Sequence, residues 1–284
     1  MKRLVIDVKM RVGLLASLMV LVVPCFADLI PAPNVGSAAS FGMLSGGAIS
    51  NSGVSVVNGD VGGVVSITGF LPTGTVTAGH TIYPSGNATV IQAVTDFHNA
   101  IFAPGGAFFE APTDPFSTGS ISATTTFLGN NVYRLGDPTT GDLNITSPSD
   151  LTFSGSSTDV FIIQVVRTMT VGGAGAPILS GGVLPQNIFW LIGGTATLST
   201  PMTWDGSLFV QTSFTMSQVG TINGCVFTDA ANGSNTLAEA TYITGGCQSL
   251  SAPGGVPEPG TVGLLGTGLC GLIFLGWRSR RRAA

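Results

Sequence analysis

Four hydroxyl-flanked triplets recur along the second half of this 284-residue chain: Thr152-Phe153-Ser154, Thr168-Met169-Thr170, Thr197-Leu198-Ser199 and Thr215-Met216-Ser217. Successive strand side chains point to opposite faces, so an inward apolar centre turns both flanking hydroxyls outward. Hydroxyls so placed stand roughly 6.6 Å apart along a strand and about 4.8 Å apart between strands. A grid of this kind offers donors, acceptors and methyl groups at fixed spacing, but no nucleophile, charge or metal ligand. Its chemistry is recognition of a repetitive, uncharged lattice. Threonine is also an ordinary strand former, and a plain solvent-facing sheet would carry it too. Lys, Glu and Arg are absent from the triplets, which favours recognition over simple solvation.

The other reactive residues form no converging set. Asp137, Asp142, Asp150 and Asp159 could supply acid, with Arg134 and Arg167 as the basic residues nearby. A glycan-cleaving site needs carboxylates paired across a cleft. Here the aspartates fall at glycine- and proline-rich corners, so they read as turn residues and an enzyme is not expected. His98 has no second His, Cys or carboxylate at ligand spacing, so neither metal nor cofactor is expected. Asn58-Gly59-Asp60-Val61-Gly62 resembles a small ligand loop but reads better as a corner turn.

Charge separates the chain into parts. Of ten basic residues, four lie before residue 12 and four after Trp277. Between residues 28 and 277, thirteen acidic residues face Arg134 and Arg167, a net charge near −11. Such a surface does not neutralise phosphates, so nucleic acid is excluded as a partner. Of four cysteines, Cys225 and Cys247 fall outside the two chain ends. They are either a disulfide formed in an oxidising compartment or two buried thiols.

The elements that must hold the triplets repeat at about 20 residues. Apolar segments at residues 160–165, 188–192 and 208–211 each precede a triplet and then a short third segment. Phe161, Phe189, Phe209 and Phe227 mark what read as equivalent points. Short strands, glycine corners and this period predict a β-solenoid of triangular cross-section. Residues 35–79 read as its first strands, and Leu143–Ile145 as a lead into the regular coils. Val160-Phe161-Ile162-Ile163 and Ile188-Phe189-Trp190-Leu191-Ile192 are apolar at consecutive positions, which requires burial on both faces. The cover is at hand: residues 87–103 place Val90, Val94, Phe97 and Ile101 at helical spacing. A helix along one side of the coil is therefore expected.

Both ends read as addresses. Residues 1–27 form a signal peptide, with Lys2, Arg3, Lys9 and Arg11 before the apolar run 12–23. Cys25 would serve a lipoprotein signal, but Pro24 before it fits that poorly. The domain proper is residues 28–252. At residues 253–284, Val256-Pro257-Glu258-Pro259 precedes an apolar run (260–277) and an arginine cluster. The plain reading is a single membrane anchor, its arginines kept on the cytoplasmic side. The three-part pattern resembles the PEP-CTERM sorting signal, which implies export and processing by an exosortase-type membrane enzyme.

Residues 35–246 also resemble the microbial ice-binding family. The resemblance rests on Ala38-Ala39-Ser40-Phe41, Val57-Asn58-Gly59-Asp60-Val61-Gly62 and Gly69-Phe70-Leu71-Pro72-Thr73-Gly74-Thr75-Val76. It continues through Asp159-Val160-Phe161-Ile162-Ile163-Gln164, Asn187-Ile188-Phe189-Trp190 and Thr195-Ala196-Thr197-Leu198. The chain departs from the family pattern at Gly224-Cys225-Val226-Phe227 and in residues 230–239. The resemblance implies a mostly β, discontinuous right-handed β-solenoid with one long helix along a face, and adsorption to an ice crystal surface. It does not say which face. Geometry alone selects Thr152, Ser154, Thr168, Thr170, Thr197, Ser199, Thr215 and Ser217. The alternative is a cell-surface adhesin on the same fold, bound to an extracellular polysaccharide matrix and without ice activity.

Overall fold

The computed structural model describes residues 30–70, 74–113, 118–231, 233–239, 241–245 and 247. The leader, the apolar run at 260–277 and the sorting motif Val256–Pro259 lie outside these residues. Within them every strand pairing is parallel, and one α-helix, Ala88–Ile101, accompanies the strands. No helix among the described residues is long and apolar enough to cross a membrane.

Each coil lays one strand on each of three sides. The coil running through Ile188–Ile192, Thr195–Leu198 and Met202–Asp205 is followed by Ser207–Val210, Ser213–Met216 and Gly220–Asn223, each strand beside its predecessor. The first side holds seven strands and the second eight; the third divides into sheets of five and three. Gly175 and Met202 bridge across that division. The chain is a β-solenoid with a triangular section, as its repeat predicts.

The stacking order departs from chain order. Phe41–Ser45 pairs with Val226–Thr228, so the N-terminal coils dock on the last coil. Buried hydrogen bonds stitch this joint: Thr228 Oγ1 donates to Ser45 Oγ at 2.8 Å, and Asn235 Nδ2 donates to the Leu44 carbonyl at 2.8 Å. The helix then carries the chain back along the stack, and strands resume at the far end with Ser120–Ile121. Its 14 residues span about 21 Å. Parallel strands need crossover connections, and a helix satisfies its own backbone while making one.

The helix lies along the first side, as its amphipathic period predicts, but over other strands than the two that called for a cover. Asn87 caps it, its Oδ1 accepting from Thr89 N–H at 2.8 Å, and Val90, Ala93, Phe97 and Ile101 are buried. On the same side Phe161–Val165 and Ile188–Ile192 are buried at all five positions. There the cover is the segment after the helix, whose Ala107 and Glu110 carbonyls accept from Gln164 Nε2 at 3.1 and 2.9 Å. Ile163, Trp190 and Leu208 face the coil interior. Leu191 and Phe209 are neighbours in the alternate set, as are Phe209 and Phe227, and Phe97 lies against the latter two at 5.4 and 5.3 Å between ring centroids. Gly62 allows the close approach: a Cβ there would lie 2.8 Å from Val90 and 2.7 Å from the Phe41 ring. Residues 60–63 are thus a strand beneath the helix, and the corner itself is Asn58-Gly59.

The phenylalanine markers are not all equivalent. Phe209 and Phe227 are register partners, but Phe189 stands beside Ser207 and Phe161 beside Ile188. Phe161 belongs to the interior core. A strand apolar on both faces accepts phenylalanine at either parity, so ring spacing cannot set its register.

His98 is not isolated. Its Nδ1 lies 2.9 Å from Asp229 Oδ2, tying the last helical turn to the end of strand Val226–Thr228. Cys225 and Cys247 form a disulfide with Cα atoms 5.3 Å apart, and Cys247 N–H reaches the Phe41 carbonyl at 3.4 Å. The pair closes a separation of 22 residues beside the joint between chain ends. By the loop-entropy model such a closure stabilises by about 3 kcal/mol. The double variant Cys225→Ser/Cys247→Ser is expected to unfold at correspondingly lower urea concentration, and wild type to show no free thiol at these positions when denatured without reductant.

Candidate ligand-binding face

The second side carries the hydroxyls. From one end of the stack to the other, its register aligns Ser120, Asn144, Thr170, Thr197, Thr215, Thr236, Ser50 and Thr68 in one column. Eight rungs at about 4.8 Å extend roughly 34 Å. On either side of the column the chain turns apolar side chains inward, among them Met169 and Val171, Ala196 and Leu198, Phe214 and Met216. Ser120, Asn144, Thr170, Ser50 and Thr68 are exposed, and Thr197, Thr215 and Thr236 half-buried by their neighbours. No residue in the column is charged.

A second row runs beside the first. Thr195 pairs with Ser213, while Ala48 lies between Ser234 and Ser66. Thr168 immediately precedes Met169, the partner of Ala196, and so extends this row. Ser199 and Ser217 form a third row just past the strand ends, their N–H groups bonded to Val171 O and Leu198 O. Thus Thr170, Thr197 and Thr215 share one column, Thr168 stands two residues to one side, and Ser199 and Ser217 two residues to the other.

Thr152 and Ser154 lie elsewhere. Strand Leu151–Ser154 belongs to the third side, between Thr125–Leu128 and Ile178–Ser180. The strand of its coil on the hydroxyl side is Leu143–Ile145, with Asn144 outward. A second correction concerns phase: Met169 pairs with Ala196, not Leu198, so the triplets are offset by one pleat. Period-two alternation is unchanged by a two-residue shift, and no spacing rule could detect it. Thr236, Ser50 and Thr68 were missed because their strands reach this face only through the joint between chain ends. A hydroxyl beside an apolar residue, Ile49, Ile67 or Leu237, was the available signal.

The remaining sides suit a flat ligand less well. The helix and residues 107–110 cover the first. On the five-stranded part of the third, the outward row reads Thr203, Thr221, Tyr242, Val56, Thr75, and the half-exposed Tyr242 ring interrupts it. The three-stranded part presents exposed Leu128 and Ile178.

The corner aspartates hold turns. Asp137 Oδ1 accepts from Thr139 and Thr140 N–H, Asp142 Oδ1 from Thr168 N–H, and Asp159 from Ser156 N–H and Asn130 Nδ2. Backbone N–H groups hold the Asp137 and Asp159 carboxyls below the ordinary carboxylate range, opposite to what a general acid requires. Among the described residues no His, Cys, Asp and Glu groups cluster as a metal site.

Asp205 departs the other way. Burial raises its pKa, an effect partly offset by Asn223 Nδ2 donating to Oδ1 at 2.7 Å. Its protonated form is favoured by folding, so stability falls as pH rises through the folded-state pKa. Asp205→Asn keeps an acceptor for Asn223 and removes the charge. The variant is expected to melt above wild type at pH 7, the difference closing below about pH 3.9.

Comparison with known proteins decides the family. A model described as ice-binding-like matches residues 43–243. The chain belongs to the ice-binding-like family. An ice-binding protein of Flavobacterium frigoris (strain PS1) is 32% identical over 208 residues, 70% of this chain and 72% of the relative. One from Nostoc sp. (strain HG1) is 27% identical over 244 residues, 84% and 85% of the two chains. The crystal structure of an ice-binding protein from the Antarctic ascomycete Antarctomyces psychrotrophicus aligns with a TM-score of 0.60 at 25% identity, covering 75% of this chain and 98% of that one. Beyond the ice-binding-like domain, residues 255–282 match the PEP-CTERM protein-sorting motif.

Proposed function

We propose that this protein is exported and adsorbs to ice through the eight-stranded hydroxyl side, centred on Thr170, Thr197, Thr215 and Thr236. The observation that carries the reading is the unbroken, uncharged column on the one long side that neither the helix nor a bulky ring obstructs. Hydroxyls fixed to a hydrogen-bonded sheet lose little conformational freedom on adsorption. Their methyl groups and oxygens, repeated every ~4.8 Å, hold surface water in a periodic layer that the crystal can incorporate. The role is non-enzymatic and needs no cofactor. Family membership supports it, and the alternative of an adhesin without ice activity has no such support.

The sorting motif supports export with processing by an exosortase-type enzyme, the protein being anchored through residues 260–277 until the segment is removed. Secretion or surface display follows from that processing. The test of ice binding is partition: in a slowly growing ice hemisphere the purified protein should be enriched in the solid, while an inert protein of similar size stays in the liquid. Recovery only from the liquid would sink the reading.

A further inference from the structure

We propose that a hollow at the far end of the solenoid, next to the end of the hydroxyl column, binds the carboxylate of an acidic glycan. Arg134 and Arg167 are the two basic residues of a region with thirteen acidic ones. Thirty-three positions apart in the chain, both line the same hollow of about 370 Å³, within the ~300–1,000 Å³ typical of ligand sites.

Neither arginine is paired as an acidic protein would pair it. Among the described residues the ion pairs are those of His80 with Asp60 and His98 with Asp229. Arg134 Nε donates to Gln164 Oε1 at 3.0 Å and Nη2 to the Glu110 carbonyl at 3.4 Å; Arg167 Nη1 donates to the Thr140 carbonyl at 3.3 Å. Of five N–H groups on each guanidinium, three and four are left for a ligand. Asp137 also lines the hollow, its Oδ1 accepting from the N–H groups of Thr139 and Thr140, which hold the loop 136–141 in place and keep the carboxylate ionised. Two arginines and one aspartate leave the lining net +1.

The neighbouring surface favours a sugar over a bare anion. Glu110, whose carbonyl Arg134 and Gln164 both hold, follows Phe109, a ring 57% exposed. Guanidinium groups bind carboxylates in planar, charge-assisted pairs, and an exposed ring offers an apolar platform beside them. A uronate residue presents both a carboxylate and an apolar sugar face.

Fluorescence anisotropy of labelled trigalacturonate with the purified protein tests this at about 0.15 M salt, where a Debye length near 8 Å screens the distant carboxylates. Saturable binding is expected, with none for labelled maltotriose. Arg134→Gln/Arg167→Gln should weaken it about tenfold or more through loss of the charge-assisted pairs, while partition into ice is unchanged. Should the double variant fail to fold, Arg167→Gln alone serves, since its guanidinium holds one surface carbonyl. The proposal is overturned by absent trigalacturonate binding, by equal maltotriose binding, or by unchanged affinity in a folded variant. Inorganic sulfate competing as well as galacturonate would overturn the glycan assignment.

Discussion

Thr197→Tyr/Thr215→Tyr is expected to remove most thermal hysteresis and ice recrystallisation inhibition while leaving the fold intact. Both residues sit mid-column as direct register partners, between Thr170 and Thr236. Two phenol rings there would lift the sheet off a flat lattice over the central rungs, where no neighbouring hydroxyl can compensate. Tyrosine favours strands, and both positions point outward, so the coil should accept the change. Partition into ice should fall about tenfold or more, equivalent to at least ~1.4 kcal/mol. Thr152→Tyr is the matched control. Its strand lies on the third side, so the same substitution should leave activity unaltered. Full activity in a folded double variant, or loss in the control, would move the site to another side.

Phe97→Ala is expected to have the largest effect on stability, about 3–5 kcal/mol. Phe97 is fully buried and its ring meets Phe102, Phe209 and Phe227 at centroid distances of 5.7, 5.4 and 5.3 Å. No other helical side chain links so many rings of the helix and the sheet beneath it. The truncation leaves a void between them, and the rings below are rigid stacked neighbours with little freedom to fill it. Urea unfolding should show a lower midpoint. Near 0 °C the surviving folded fraction should still bind ice, because the hydroxyl column lies on a different side. A drop in ice binding per folded molecule would show that the helix shapes the column as well as covering its own side.

These two variants separate what was readable in the chain from what was not. The helix was legible because its 3.6-residue period stands out from the strands around it. The need for a cover was legible because Phe161–Val165 and Ile188–Ile192 leave no face for water, although over those strands residues 107–110 supply it. Thr197 and Thr215 were placed in one column correctly because their coils are successive and nearly equal in length. Thr152 and Ser154 were not, because the coil holding them is longer, with Pro138 and the aspartate-held turn at Asp137 delaying its strand on the hydroxyl side. Triplet resemblance selected the wrong strand of that coil.

By itself the sequence determined the repeat, the doubly buried side, the covering helix and an uncharged hydroxyl surface, since each is a local pattern of side-chain type. Only the tertiary structure decided which hydroxyls share a column. That depends on the docking of Phe41–Ser45 against Val226–Thr228, which adds Ser50, Thr68 and Thr236 to one continuous side. It also brought Arg134 and Arg167 to a single hollow. The physical reason is common to both: register and stacking order are set by pairings between segments far apart in the chain, and a period of two is blind to a two-residue shift.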